Sequence, residues 1–102
     1  MKIAAGSRWR STVDTTEVVV VRAPDDEASL ECGGHEMLAA GAEGGANGSI
    51  TPEFSGGSQL GKRYCDEEAG LEVLCIKAGD GSLALGGRAL QLKEAKPLPS
   101  SD

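Results

Sequence analysis

The strongest constraint on this chain is that it repeats itself. Gly6-Ser7-Arg8-Trp9 returns as Gly61-Lys62-Arg63-Tyr64, and Glu17-Val18-Val19-Val20-Val21-Arg22-Ala23 returns as Glu72-Val73-Leu74-Cys75-Ile76-Lys77-Ala78, both at an offset of 55 residues. Ser29-Leu30-Glu31-Cys32-Gly33-Gly34-His35-Glu36-Met37 returns as Ser82-Leu83-Ala84-Leu85-Gly86-Gly87-Arg88-Ala89-Leu90 at an offset of 53, the second copy having lost two residues around Asp80-Gly81. Units of roughly 30 residues fall below the roughly 40 at which a domain holds together without a metal, a disulfide or a partner. The two copies must therefore bury their apolar faces against each other.

The type of element follows from the runs. Val18 to Val21 and Val73 to Ile76 are short, largely β-branched and bounded by charge, which reads as strands buried on both faces. Asp80-Gly81 signals a tight hairpin, because glycine accepts positive φ. A second strand is expected around Ser29–Cys32 and Ser82–Leu85, then a paired-glycine turn. Trp9 and Tyr64 mark a first strand in each copy, and a last one begins near Met37 and Leu90. The expectation is an all-β protein of two pseudo-symmetric small units, three short strands each, packed as a fused pseudo-dimer. The units span 6–38 and 61–92. Residues 39–60, with six glycines, form a linker or a loop pinned by Ile50 and Phe54. Residues 93–102 form an extended tail.

Charge narrows the partners. A net charge of −6 and a pI near 4.7 argue against nucleic acid, whose phosphates need a basic surface, and against an anionic membrane. No apolar run approaches the roughly 20 residues of a membrane span, and 1–10 lack the apolar core of a signal peptide. These features predict a cytoplasmic protein. Three cysteines do not suggest a secreted disulfide framework, so they are expected as free thiols or ligands.

From Gly61 to Leu90, Tyr64, Gly70, Val73-Leu74, Gly79-Asp80-Gly81, Leu83 and Gly87-Arg88-Ala89-Leu90 follow a pattern that resembles the desulforedoxin family of small rubredoxin-type iron domains. The first copy resembles it most at Leu30-Glu31-Cys32-Gly33-Gly34-His35-Glu36-Met37. The resemblance implies a pair of small β lobes. On its alignment the iron-ligand positions are Ser11, Asp14, Cys32 and Gly33 in the first copy, and Asp66, Ala69, Leu85 and Gly86 in the second. Only Cys32 is a thiolate donor, so the family's four-thiolate site and its electron transfer do not carry over.

Cys32 and His35 stand at Cys-x-x-His spacing, and Cys65 and Cys75 would complete a formal zinc set. Against it, Cys75 falls inside a strand and Cys65 has no partner at close spacing. A Cys32–His35 thiol enzyme would need an orienting group and an oxyanion site. Asp66-Glu67-Glu68 lacks the spacing of a calcium loop and reads as a solvated turn. Gly44-Gly45 and Gly56-Gly57 do not sit between a strand and a helix, so no phosphate loop is implied. Gly-x-Arg-aromatic occurs in both copies. Arg8, Trp9, Arg63 and Tyr64 are thus candidate interface anchors, with strand packing as the competing role. The expected function is non-catalytic and needs no cofactor. The chain is an accessory or scaffold protein that binds a protein partner or a second copy. The alternative is a zinc- or iron-binding module using Cys32, His35, Cys65 and Cys75.

Overall fold

In the central strands, burial alternates along the chain. Val18 and Val20 are buried while Glu17 and Val19 are half-buried and Val21 is exposed; Val73 and Cys75 are buried while Leu74 and Ile76 are half-buried. Alternation of this kind places one face on a core. The fold comes from a computed structural model that describes residues 3–24, 29–39, 41 and 49–93. The first half contains β1 (Arg8–Arg10), β2 (Glu17–Arg22), β3 (Leu30–Cys32), β4 (His35–Glu36) and β5 (Leu38–Ala39). The second contains β6 (Arg63–Asp66), β7 (Leu71–Lys77), β8 (Leu83–Leu85), β9 (Arg88–Ala89) and β10 (Gln91–Lys93). Between them, Pro52–Phe54 forms one 3-10 turn.

The protein is all-β. One antiparallel sheet has the order β10-β6-β7-β2-β1-β5, the other β4-β3-β8-β9. Exchanging the two halves maps each order onto itself. The registers obey the same exchange: Trp9 lies opposite Val18 as Tyr64 lies opposite Val73, and Cys32 opposite His35 as Leu85 opposite Arg88. The approximate two-fold passes between Val19 and Leu74, which face each other across β2 and β7. It recurs in the loops. Gly6 N donates to Val20 O (2.7 Å) and Gly61 N to Cys75 O (2.9 Å); Gly33 N donates to Ser82 O (2.9 Å) and Gly86 N to Ser29 O (2.8 Å). One core joins the sheets, with Trp9, Val18, Val20, Leu71, Val73 and Cys75 from the larger packing with Leu30, Cys32, Leu83 and Leu85 from the smaller.

Three details differ from the sequence reading. Each half has five short strands rather than three: besides the strand expected near Met37 and Leu90, the chain pairs back directly after each paired glycine, in β4 and β9. Gly33 and Gly34 (φ 67° and 86°) and Gly86 and Gly87 (φ 57° and 84°) close two-residue hairpins, where both central residues need positive φ. Second, Asp80-Gly81 closes no hairpin. There the chain leaves the larger sheet at β7 and enters the smaller at β8, held by a bridge between Gly79 and Ser58. Third, β2 and β7 bury apolar side chains on one face only, since the smaller sheet covers only the inner side; the buried residue of the outer face, Glu72, is covered by Arg63 and Lys93.

The described part of 39–60 is not a free tether. Thr51 N donates to Gly33 O in one half (2.8 Å), and Phe54 O accepts from Ser82 N in the other (2.7 Å). Ala39 already belongs to β5 and Lys93 to β10. The rest of the expected tail, and 40 and 42–48 of the expected linker, lie outside the described residues.

Candidate functional site

The densest polar grouping lies where the halves meet. Ser11 follows β1, and its Oγ accepts from the N–H groups of Val13 (3.1 Å) and Asp14 (3.2 Å), tightening the loop. That turn points Asp14 back at its own chain. Asp14 Oδ1 accepts from Thr16 N (3.0 Å), and Oδ2 accepts from Thr16 Oγ1 (2.9 Å) and, across the junction, from Gly81 N (2.6 Å). Cys32 Sγ donates to Asp14 Oδ1 at 3.8 Å. Thr16 and Cys32 are completely buried and Ser11 nearly so. A Cβ on Gly81 would stand 3.0 Å from both Asp14 Oδ2 and Cys32 Sγ, and one on Gly79 2.6 Å from Asp14 Oδ2. Glycine at 79 and 81 is therefore what lets the second half's backbone approach the carboxylate.

Burial pushes the Asp14 carboxyl up, but the hydrogen bonds from Ser11, Gly81 and Thr16 outweigh it and hold the group below its ordinary value. Burial, reinforced by the Asp14 charge, pushes the Cys32 thiol up to about 11. Cys32 is thus a protonated thiol at neutral pH, not the thiolate that nucleophilic or ligand chemistry uses. An open depression of ≈ 570 Å³ beside the cluster is lined by Val13, Asp14, Thr15, Ile50, Ala78, Gly79 and Asp80.

The two-fold-related place in the other half is built differently. Asp66, opposite Ser11 in the exchange, accepts from Ala69 N (3.2 Å) and pairs with Arg88 Nε (2.7 Å). Arg88 also holds Glu68 (2.6 Å). The Arg88 hydrogen bond is the main reason the Asp66 carboxyl lies below its ordinary value. The acidic trio is therefore not simply a solvated turn: Asp66 is buried under a guanidinium, while Glu67 and Glu68 are exposed.

The third feature is the outer face of the six-stranded sheet. Cross-strand pairing sets Lys93, Arg63, Leu74, Val19 and Arg8 in one continuous row over five strands. Val21 and Ile76 extend its apolar centre along β2 and β7, and Val21 is 45% exposed. Glu72 is clamped by Arg63 (3.3 Å) and Lys93 (2.6 Å), and Glu17 by Lys77 (3.2 Å). The Lys93 hydrogen bond is the leading cause that keeps the Glu72 carboxyl below its ordinary value.

The expected anchors divide. Trp9 is 4% exposed, with Nε1 donating to Ser7 Oγ (2.9 Å). This corrects its reading as an interface residue: its ring belongs to the core because Trp9 faces inward on β1. Tyr64 is half-buried against the core, and its hydroxyl accepts from Gln59 N (2.9 Å). Arg8 and Arg63 are exposed on the outer face. The formal zinc set stays dispersed. His35 lies opposite Cys32, but its Nε2 is engaged by Ser49 O (2.9 Å); Cys65 lies on the outer face, and buried Cys75 donates to Lys77 O (3.1 Å). Among the described residues no three His, Cys, Asp or Glu side chains converge as a metal site would require, and no helix is long and apolar enough to cross a membrane.

Ser11 and Asp14, and Cys32 distant from them in sequence, lie together in space. The sequence reading missed their cross-junction partner Gly81 and the outer-face row, which exist only once the halves share a sheet. No protein-family model, curated protein or solved structure matches this chain.

Proposed function

We propose that the chain is a non-catalytic accessory or scaffold protein of the cytoplasm that works by binding a protein, with the outer face of the six-stranded sheet as its contact surface. The carrying observation is the one-sided covering of β2 and β7. Their sequence is apolar on both faces, yet the side packed against the smaller sheet is the one that carries the buried Val18, Val20, Leu71, Val73 and Cys75. Val19, Val21, Leu74 and Ile76 are left as an apolar centre rimmed by Arg8 and Arg63. An apolar centre with arginines at its rim is the usual anatomy of a protein contact.

Site-specific photo-crosslinking tests this reading. A photoreactive residue at Val21 is expected to give one discrete protein adduct in the cells that make the chain, whereas the same residue at Glu36 on the smaller sheet gives none. Equal adducts from both positions, or none from Val21, would remove the outer face from the account.

A second reading rests on the gathering of Ser11, Asp14 and Cys32, three of the four positions at which the desulforedoxin-like alignment expects ligands. It makes the chain a zinc- or iron-binding module with an atypical donor set, other than the dispersed Cys32, His35, Cys65 and Cys75 expected from the sequence. Against it stand the protonated Cys32 thiol and the hydrogen bonds that already satisfy Asp14. Elemental analysis of purified protein separates the two readings: one equivalent of zinc or iron, lost in Cys32→Ser, supports the second.

A further inference from the structure

The charges of this acidic chain are unevenly placed. Strand alternation and the pairing across the β2–β7 bulges put Arg8, Arg10, Arg22, Arg63, Lys77 and Lys93 on the outer face of the larger sheet. Only two carboxylates, Glu17 and Glu72, share that face in β1, β2, β6, β7 and β10. Among the described residues of these five strands, six basic side chains therefore meet two acidic ones on that face, a local excess of four positive charges within a molecule of net charge −6. We infer that this face receives an acidic segment of a partner protein, with two carboxylates seated on Arg8 and Arg63 and apolar side chains between them on Val19 and Leu74. The inference rests on the association reading above and adds the chemistry of the partner.

The spacing sets the ligand's shape. Arg63, Leu74, Val19 and Arg8 occupy four adjacent strands, so the two arginines stand about 14 Å apart at about 4.8 Å per strand. An extended segment covers that distance in about four residues, which places two acids around a short apolar stretch. Charge complementarity favours this occupant over two others. A second copy laid face to face would bring two basic surfaces together, and like charges across an interface oppose association. A nucleic acid would meet the net negative charge of the whole molecule, and its phosphates gain nothing from Val19 and Leu74. A short acidic segment interacts mainly within a Debye length, about 8 Å at physiological salt, and so responds to the local face.

The probe is a random peptide library displayed on phage, selected against the full chain, with the most enriched peptide then synthesised and its affinity followed by fluorescence anisotropy. The expected peptides carry two Asp or Glu residues flanking apolar ones. Their affinity is expected to fall roughly tenfold or more in Arg8→Glu, a charge reversal at an exposed site, with unchanged circular dichroism. It is also expected to weaken as salt is raised. In Glu53→Lys, an exposed acid on the segment between the halves, it is expected to change little. Enriched peptides that are apolar but uncharged would overturn the charge inference and leave the association reading standing. No enrichment over an unrelated acidic protein would overturn both. Sedimentation showing a dimer that Arg8→Glu dissociates would name a second copy as the occupant and overturn the inference in that way.

Discussion

Asp14 accepts hydrogen bonds from its own loop and from Gly81 in the other half, so a single carboxylate ties the junction. Removing it in Asp14→Ala leaves the Gly81 and Thr16 donors without their acceptor, a loss on the order of 1–3 kcal/mol for buried groups, measurable by denaturant unfolding. Its pH dependence has a definite sign. A carboxyl held below its ordinary value in the folded state contributes fully above the ordinary carboxylate range. That contribution disappears as pH falls through the folded value. The acid limb of the stability curve should be shallower in Asp14→Asn than in the wild type; superimposable limbs would remove Asp14 from the account. Cys32 acts at the other end. Its thiol stays protonated to about 11 in the fold, against 9.0 for the free group. The wild type should therefore lose stability over that interval, and Cys32→Ala should lose less, the remaining loss belonging to Cys75 and Cys65, which burial also pushes up. At neutral pH a thiol reagent should modify the partly exposed Cys65 before the buried Cys32 and Cys75.

Among the elements, the two glycine hairpins allow a controlled comparison, because they occupy equivalent places in unequal surroundings. Gly34 and Gly87 have nearly the same φ, 86° and 84°. A Cβ at 34 would stand 2.6 Å from Thr51 Cβ, whereas nothing lies within 4 Å of one at 87. Gly87→Ala should cost roughly 1–2 kcal/mol for left-handed backbone alone, and Gly34→Ala clearly more, read as a difference in unfolding midpoint. Equal losses would mean that Thr51 does not pack on the first hairpin. The same elements show what the sequence could carry. Repeated glycines and β-branched runs marked the strands, since backbone φ and χ1 stiffness are local properties. The paired-glycine turns were readable for that reason. The Asp80-Gly81 turn was misread because the same local signal serves a hairpin and a passage between sheets, and only Asp14 and Ser58, distant in sequence, decide between them. Trp9 was misassigned because a three-residue strand, Arg8–Arg10, does not reveal which of its faces turns inward.

At the scale of the molecule, the halves are not two lobes joined by a tether. They share both sheets, through β2 against β7 and β3 against β8, and the proposed contact face exists only because the larger sheet runs unbroken across that seam. The residue pattern implied the pairing of the halves but not the face, whose row of Lys93, Arg63, Leu74, Val19 and Arg8 draws on five strands from both copies. Sharing of this kind makes one cooperative unit, and native-state hydrogen exchange reads that directly. The amides of Val20 and Cys75 occupy two-fold-related places and donate to Ser7 O (2.8 Å) and Lys62 O (2.9 Å). Both should exchange only through global unfolding, with opening free energies that agree with each other and with the denaturant value to about 1 kcal/mol. An opening free energy for one of them several kcal/mol below the other would show two independently unfolding lobes, and would contradict the shared-sheet molecule on which the contact face depends.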